Sequence, residues 1–227
     1  MLVYGKNVLD EILKKKIKIN KVYMQDSIDN DIKNKLIKYN PLIMKKKDMD
    51  KSFSGVHQGV VLDIEDYKYT NINNYEFNNS LVVMLDHIED PHNFGAIIRT
   101  CEAAGVDLII IPDKRSVDVN STVIKTSVGT AFNVKISKVS NLVNTINMLK
   151  KKGFWIVGTD MEGTSYDTID YKGNTCIIVG NEGSGMSRLV RENCDFIATI
   201  PMEGEVNSLN ASVATAIVVF EAVKSRR

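Results

Sequence analysis

The sequence has little of what a secreted, metal-dependent or membrane-spanning protein requires. Three cysteines, Cys101, Cys176 and Cys194, form no C-x-x-C pair and leave one unmatched, which indicates reduced thiols in a cytoplasmic protein. His87 and His92 are five residues apart, a poor helical spacing for two ligands, so we predict no metal site. No apolar run approaches the roughly 20 residues of a membrane span. The N-terminus places its lysines after its apolar residues, which is not the layout of a signal peptide.

Three common catalytic motifs are also absent. No G-x-G-x-x-G follows the first strand of the C-terminal region, and Gly180, Gly183 and Gly185 have the spacing G-x-x-G-x-G instead. The chain contains no G-x-x-x-x-G-K-[ST] phosphate loop. Ser184 and Ser208 lack the G-x-S-x-G context of a hydrolase nucleophile. These absences argue against a Rossmann-type methyltransferase, a nucleotide hydrolase and a serine hydrolase.

Strand and helix patterns alternate from residue 80 onward. Apolar runs predict strands at 81–85, 108–111, 131–136, 154–158, 176–179 and 196–200. Apolar spacing predicts helices at 95–104, 142–151 and 211–222, with a helix-like turn at 186–193. Residues 117–127 indicate a helix, or a loop followed by a helix. Strands that alternate with helices favour a parallel sheet covered on both faces. We therefore expect an α/β domain over residues 80–227.

The formal net charge of +1 conceals an uneven distribution. Residues 1–66 contain 13 lysines, no arginine and 10 acidic residues, whereas residues 80–227 contain 15 basic and 17 acidic residues. The lysines cluster at 14–21 and 45–47. Such clusters are usually a solvated face, but two of them in one small domain modestly favour a polyanionic partner. We interpret the first segment as a small α/β domain and the asparagine-rich residues 67–79 as a linker. Its predicted elements are helices at 5–13 and 29–39 and strands at 21–24, 42–44 and 59–64.

Two polar loops follow the last two predicted strands, at 180–185 and 202–210. They carry more polar side chains than a turn needs, namely Asn181, Glu182, Ser184, Asn207, Ser208 and Asn210. In open α/β sheets, ligands bind outside the carboxyl ends of the strands. An ordinary connection that happens to carry glycines is the structural alternative. On these residues alone, we predict a ligand-binding α/β domain with a basic appendage.

Three segments resemble the three motifs of the SpoU family of RNA ribose 2′-O-methyltransferases, which belongs to the SPOUT superfamily. They are DPHNFGAIIRT at 90–100, IVGNEGSGM at 178–186, and IPM at 200–202 followed by VNSLNASVA at 206–214. The segments occur in the family's order. The N-terminal sequences YGKNVLDEIL and VHQG are similar to the small ribosomal-protein-like substrate domain of the rRNA guanosine methyltransferase branch.

This resemblance implies a C-terminal sheet tied in a deep trefoil knot, S-adenosylmethionine as the cofactor, an RNA substrate and a homodimer. From the histidine spacing and the apolar runs described above, we expect no metal and no membrane. The implied cofactor-binding residues are Gly158, Thr159, Gly180, Glu182, Gly183, Ile200, Met202, Ser208 and Leu209. The implied catalytic residues are Asn93, Arg99, Glu182, Ser208 and Asn210. Contacts through the backbone suit loops whose glycines let the chain approach a ligand closely.

Each implied catalytic residue has an ordinary structural alternative. Asn93 could cap the helix that follows it, and Arg99 could form a surface ion pair. Glu182 could serve a helix dipole, while Ser208 and Asn210 could cap the last helix.

The role of Arg99 and the identity of the RNA stay open at this point. The family is usually described with this arginine as the base. An arginine stays protonated in proteins, however, so we favour a clamp on a substrate phosphate that also stabilises developing negative charge. We expect a guanosine of large-subunit rRNA as the substrate, with tRNA as the alternative. A non-catalytic RNA-binding protein on the same fold is a further alternative, against which the intact catalytic set argues.

Overall fold

Residues 2–64 form a four-stranded mixed sheet with three helices. The computed structural model describes residues 1–54, 56–205 and 208–227. The strands are β1 (Leu2–Tyr4), β2 (Ile19–Gln25), β3 (Leu42–Met44) and β4 (Val60–Ile64), and the helices are α1 (Lys6–Lys14), α2 (Asn30–Leu36) and α3 (Lys46–Ser52). The strand order is β1-β4-β2-β3, with β4 antiparallel to both neighbours and β2 parallel to β3. The α/β prediction for this segment is confirmed.

Local sequence explains most of this unit. Val8, Leu9 and Ile12 lie on the buried face of α1, at the spacing that predicted the helix. The sequence did not predict β1 or α3. The first has only three residues, and the second buries a single side chain, Met49, within a lysine-rich segment. Both elements depend on tertiary contacts more than on their own pattern.

Residues 81–225 form the second unit. Its strands are β5 (Leu81–Asp86), β6 (Leu108–Pro112), β7 (Ile136–Val139), β8 (Trp155–Ser165), β9 (Thr175–Gly180) and β10 (Phe196–Thr199). Its helices are α4 (Pro91–Ala104), α5 (Ser121–Thr126), α6 (Leu142–Lys151), α7 (Arg188–Glu192) and α8 (Ala211–Ser225). All pairs in the sheet are parallel, in the order β10-β8-β9-β5-β6-β7. The predicted parallel sheet is confirmed, whereas the predicted knot concerns chain threading and stays a prediction.

Helices cover both faces of this sheet. On β5, Val83 and Leu85 face a core shared with α4, α5 and α8, while Val82 and Met84 face a second core shared with α6 and α7. A strand buried on both faces is typical of a parallel sheet and explains its continuous apolar sequence. No helix in the described ranges is long and apolar enough to cross a membrane.

The strand predicted at 131–136 was wrong in extent. The strand expected at 131–136 is a 3₁₀ turn at Thr130–Phe132, and β7 begins only at Ile136. Val128 and Gly129 have positive φ angles of 55° and 81°, which fold the chain back before the strand can start.

The last two strands pair in an unusual register. Strand β8 continues well beyond its predicted end at 158. Its register with β10 shifts between Ile197 and Ala198, because Ile197 pairs with Gly158 whereas Ala198 pairs with Thr164. Residues 159–163 therefore bulge out of the ladder between the two registers. This bulge forms one wall of the candidate site.

The segment 67–79 is fixed to the second unit rather than free. The Tyr67 hydroxyl donates to the carbonyls of Ala131 and Val134 at 3.1 and 3.2 Å. The Thr70 amide donates to the carbonyl of Ile136 at 2.7 Å, beside the edge strand β7. Burial raises the pKa of Tyr67, so its hydroxyl stays protonated as a donor. The segment thus covers a sheet edge as well as joining the two units.

Candidate active site

A cleft of about 390 Å³ opens at the carboxyl ends of β8, β9 and β10. Most of the residues implied as cofactor-binding line it, namely Thr159, Gly180, Glu182, Gly183, Ile200, Met202, Ser208 and Leu209. Gly158 does not line it, and a Cβ added there would lie 2.7 Å from both Cys194 Sγ and Met186 Cε. Asn207 lies outside the described residues. The cleft lies at the sheet edge where open α/β folds bind their ligands.

Gly180 ends β9 at a point where only glycine fits. A Cβ at this position would lie 2.3 Å from both the Gly185 carbonyl carbon and the Met186 nitrogen. Asn181 and Gly185 exchange backbone hydrogen bonds of 3.0 and 2.9 Å, which close the loop on itself. The chain therefore doubles back immediately after the strand, and backbone groups form this wall of the cleft.

The Asn181 side chain organises the same loop. Its Oδ1 accepts from the amides of Gly183 at 2.9 Å and Ser184 at 3.2 Å. Its Nδ2 donates to the carbonyl of His87 at 2.9 Å, and His87 has a positive φ angle of 63°. The loop is thus tied to the segment that follows β5. The sequence analysis counted Asn181 among the polar residues but did not predict this role.

Asp86 fixes the other end of the loop. This carboxylate ends β5 beside Gly180 and is only 1% exposed. It accepts from the Ser187 amide at 2.6 Å and contacts Nδ1 of His87. A buried carboxylate needs such partners. Because Asp86 and His87 are adjacent, both ends of the 181–187 loop are anchored at one corner, which the sequence did not predict.

Three of the implied catalytic residues form one hydrogen-bonded chain. Asn93 Nδ2 donates to Glu182 Oε1 at 2.6 Å, and Asn93 Oδ1 accepts from Asn210 Nδ2 at 2.9 Å. Asn210 Oδ1 in turn accepts from the amide and the hydroxyl of Ser212 at 2.9 and 2.6 Å. The donors of Ser212 fix the orientation of the Asn210 amide, which then fixes that of Asn93. The chain joins all three sequence motifs and ends at a carboxylate in the cleft wall.

The capping alternatives have different outcomes. Asp90 caps α4 by accepting from the His92 amide at 2.9 Å, so Asn93 is not the cap. Asn210 does cap α8, and it contacts Asn93 at the same time. Its capping and network roles are therefore compatible.

Arg99 and Ser208 stand apart from this chain. Arg99 is exposed and makes no hydrogen bond or ion pair to any residue that the structure describes. It lies six residues after Asn93, about 9 Å along α4 and on a different face. Ser208 is exposed and lines the cleft without a hydrogen bond to another described residue. Their side chains are free to contact a ligand.

A salt bridge joins Asp160, a residue of the cleft wall, to Arg191 of α7. Asp160, within the β8 bulge, accepts from Arg191 Nε of α7 at 2.7 Å and from the Met161 amide at 2.7 Å. The pKa of Arg191 is raised by this hydrogen bond and by the charge of Asp160. Nothing in the sequence pattern predicted the pair, because it depends on the register shift of β10. Within 1–54, 56–205 and 208–227, no group of three or more His, Cys, Asp or Glu side chains could hold a metal ion.

Family models match both units. Residues 80–220 match the SpoU rRNA Methylase family, and residues 2–70 match a domain described as RNA 2′-O ribose methyltransferase substrate binding. A Staphylococcus saprophyticus protein, named as a TrmH family tRNA/rRNA methyltransferase, is 40% identical over 100% of this chain and 96% of its own length.

Two solved structures share the fold over nearly the whole chain, and a third shares part of it. An AdoMet-bound rRNA methyltransferase from Sinorhizobium meliloti has a TM-score of 0.83 and 27% identity, covering 98% of this chain and 86% of its own. The SpoU methyltransferase AviRb from Streptomyces viridochromogenes, in complex with AdoMet, has a TM-score of 0.85 at 23% identity, covering 99% and 89%. A TrmH/SpoU tRNA modifying enzyme from A. aeolicus is 36% identical with a TM-score of 0.59, covering 65% and 75%. The chain belongs to the SpoU family of RNA 2′-O-ribose methyltransferases.

Proposed function

We propose that this protein transfers the methyl group of S-adenosylmethionine to a ribose 2′-hydroxyl of large-subunit rRNA, at a guanosine. The observation that carries this proposal is the hydrogen-bonded chain from Asn210 through Asn93 to Glu182, which ends in the wall of the cleft. Such a chain holds polar groups in one geometry beside a ligand-sized space.

The cleft residues fit the proposed cofactor. A volume of about 390 Å³ lies in the range of small-molecule sites, and its wall combines backbone groups at Gly180 with apolar Ile200 and Leu209. We assign these three residues, with Thr159 and Met202, to cofactor binding. When bound, the cofactor supplies an electrophilic methyl group on a sulfonium. The protein then has to orient the ribose, and the proton that the 2′-hydroxyl loses on methylation has to pass to an acceptor.

We assign orientation of the ribose to the hydrogen-bonded residues Asn210, Asn93 and Glu182. Asn93 holds one oxygen of Glu182, which keeps the carboxylate of Glu182 in place as a hydrogen-bond acceptor for the ribose hydroxyl. Ser208, free of protein partners in the described ranges, adds a second polar contact. Fixing the hydroxyl against the methyl group provides much of the rate of such a transfer.

We assign phosphate binding to Arg99. Its guanidinium is exposed and unpaired within the described part of the chain, so it is available to bind a phosphate of the RNA. A guanidinium does not deprotonate in proteins, so the clamp role is favoured over the base role.

The share of this chain that each similar structure covers favours rRNA over tRNA as the substrate. The S. meliloti rRNA methyltransferase covers 98% of this chain, including the N-terminal unit. The A. aeolicus tRNA modifying enzyme covers only 65% of it. The N-terminal unit, which matches a substrate-binding domain, is therefore the part that argues for the larger RNA. tRNA remains the second candidate substrate.

We further propose a cytoplasmic homodimer with domains at 1–66 and 80–227. On α8, Val213 and Phe220 lie seven residues apart on one face, and both are nearly half exposed. Trp155 and Phe196 are also exposed on the neighbouring strands β8 and β10, with ring centroids 5.6 Å apart. An exposed apolar helix face and a pair of exposed aromatic rings are both typical of subunit interfaces.

The activity is tested by methyl transfer from labelled cofactor to unmodified transcripts of large-subunit rRNA and of tRNA. We expect label on rRNA, located on ribose, and loss of that label in Glu182→Gln. Label on tRNA alone would contradict rRNA as the substrate and assign tRNA instead. Cofactor and RNA binding with no transfer to either would support the non-catalytic alternative.

A further inference from the structure

The VHQG turn at 56–59 is a rigid part of the N-terminal unit that the proposed chemistry does not use. His57 is buried, its Nδ1 accepts from the Gly59 amide at 3.0 Å, and its Nε2 lies 2.9 Å from Asp50. Gln58, at a positive φ of 52°, accepts from the Lys6 amide at 3.1 Å. A turn fixed at several points holds its exposed residue, Val56, in one position.

This turn contacts the second unit through Lys125. The Lys125 ammonium donates to the carbonyl of Val56 at 3.3 Å and has no carboxylate partner among the described residues. A lysine in the last turn of α5 also suits the helix dipole, which is the ordinary explanation. That explanation does not account for its place at the junction of the two units.

The end of α5 lies against the start of α4. Thr126 Oγ1 is 3.4 Å from Nδ1 of His92, and a Cβ added to Gly95 would lie 2.6 Å from the Thr126 Cβ. Asn93 belongs to the same helical turn as His92. Lys125 therefore lies beside the turn that carries a proposed catalytic residue.

Two more cations follow β6 at the same carboxyl edge of the sheet. Lys114 and Arg115 are exposed, and neither makes an ion pair within the described ranges. Arg115 has a positive φ of 51°, where asparagine or glycine is more usual. The Val117 amide donates to the Ile88 carbonyl at 3.0 Å, which ties this loop to the segment before α4. By contrast, Arg188 and Arg191 both pair with carboxylates.

We propose that Lys114, Arg115 and Lys125, the junction cations, bind phosphates of the RNA strand that runs from the N-terminal unit to the reacting ribose. One of these cations contacts the substrate-binding unit, and the other two lie in a loop tied to the segment before the catalytic helix. Cations without carboxylate partners at these positions fit a polyanionic backbone. Their contacts orient the strand without reading its sequence. This surface rests on the proposed function and adds the path that the substrate takes.

Salt dependence distinguishes phosphate contacts from a structural tether. Lys114→Gln and Lys125→Gln remove charge and keep an amide donor, and Arg115→Asn suits the positive φ. The probe is an unmodified transcript of large-subunit rRNA, bound by the full-length protein at increasing KCl. A plot of log affinity against log salt concentration has a negative slope. Each variant is expected to reduce the magnitude of this slope by about 0.7 to 0.9, and a pair of variants by about twice that. The control Lys172→Gln changes an exposed lysine before β9, at the opposite end of the strands, and should keep the wild-type slope.

The outcomes separate this surface from the proposed function. Lowered slopes with unchanged cofactor affinity and melting temperature support the junction cations, even if no methyl transfer is found. Ribose methylation together with wild-type slopes in all three variants would overturn the surface and leave the function intact. A changed melting temperature with a wild-type salt slope in Lys125→Gln would mean that Lys125 only holds the two units together, which would overturn its role in RNA binding. Absence of wild-type binding to the transcript at any salt would overturn both proposals.

Discussion

The Asn93 amide donates to the Glu182 carboxylate at 2.6 Å, across 89 residues of sequence. The bond connects the first turn of α4 to the loop after β9. Asn93 is not needed there as a helix cap, because Asp90 caps α4. The bond instead holds a carboxylate in the wall of the cleft, which is the arrangement on which the proposed chemistry depends.

Replacing Asn93 should impair transfer more than cofactor binding. Asn93→Ala removes the donor to Glu182 and the acceptor for Asn210, so the ribose-facing groups lose their fixed positions. We expect kcat to fall about 10²-fold, the scale of a small misplacement at a reacting centre, with little change in cofactor affinity. Single-turnover transfer and calorimetry measure the two quantities. Asn147→Ala, an exposed position on α6, is the matched control, and equal activity of the two variants would contradict the assigned role.

Gly180→Ala should weaken cofactor binding by tenfold or more. The added methyl group would lie 2.3 Å from backbone atoms of the 185–186 segment, so the cleft wall has to move. Titration calorimetry with S-adenosylmethionine measures the effect. Gly204→Ala is the control, because a Cβ there meets no atom within 4 Å. Wild-type affinity in Gly180→Ala would show that the loop conformation is not required for binding.

Arg99→Ala should keep the fold and the cofactor affinity yet lose transfer by about 10²-fold or more, the scale of one preorganised electrostatic group. Arg99→Lys distinguishes the two roles. A lysine cannot make the planar two-pronged phosphate contact, so the clamp role predicts poor rescue at every pH. Recovery of activity as the pH rises would indicate a base instead, because a lysine loses its proton more readily on burial. Near-normal turnover of Arg99→Ala would rule out both roles.

Phe220→Asp should convert the proposed dimer to a monomer. A charge placed on the exposed face of α8 cannot be buried against a second copy without a large desolvation cost. Light scattering at micromolar concentration measures the mass. Lys47→Asp, a charge change at an exposed position on α3 of the N-terminal unit, should remain dimeric. A wild-type protein that is already monomeric would contradict the dimer.

The sequence predicted the elements that have a strong apolar pattern of their own. Helix α6 begins and ends where predicted, because its buried residues recur at helical spacing. The bounds of β5, β6 and β9 differ from the predicted ones by a residue or two, and their continuous apolar runs are buried on both faces of a parallel sheet. The half-polar extension of β8 was missed, since its strand geometry comes from pairing with β10 after a register shift. Short β1 and lysine-rich α3 have little pattern of their own and depend on tertiary packing.

The candidate site was predictable as a set of motif residues but not as a network. The motifs gave Asn93, Glu182 and Asn210, and their contacts follow only from the fold. The anchoring roles of Asp86 and Asn181 were missed, because a polar residue at the end of a strand could equally have faced solvent. Register and strand order, which local sequence does not encode, determine these contacts.

The position of the methyl group on the RNA tests the central proposal most directly. The wild-type protein is incubated with labelled S-adenosylmethionine and an unmodified large-subunit rRNA transcript, and the RNA is then hydrolysed in alkali. A 2′-O-methyl group blocks attack of the ribose oxygen on the adjacent phosphate, so the proposal predicts label in alkali-resistant dinucleotides, and none with Glu182→Gln. Label recovered in mononucleotides would indicate base methylation and would contradict the proposed ribose chemistry.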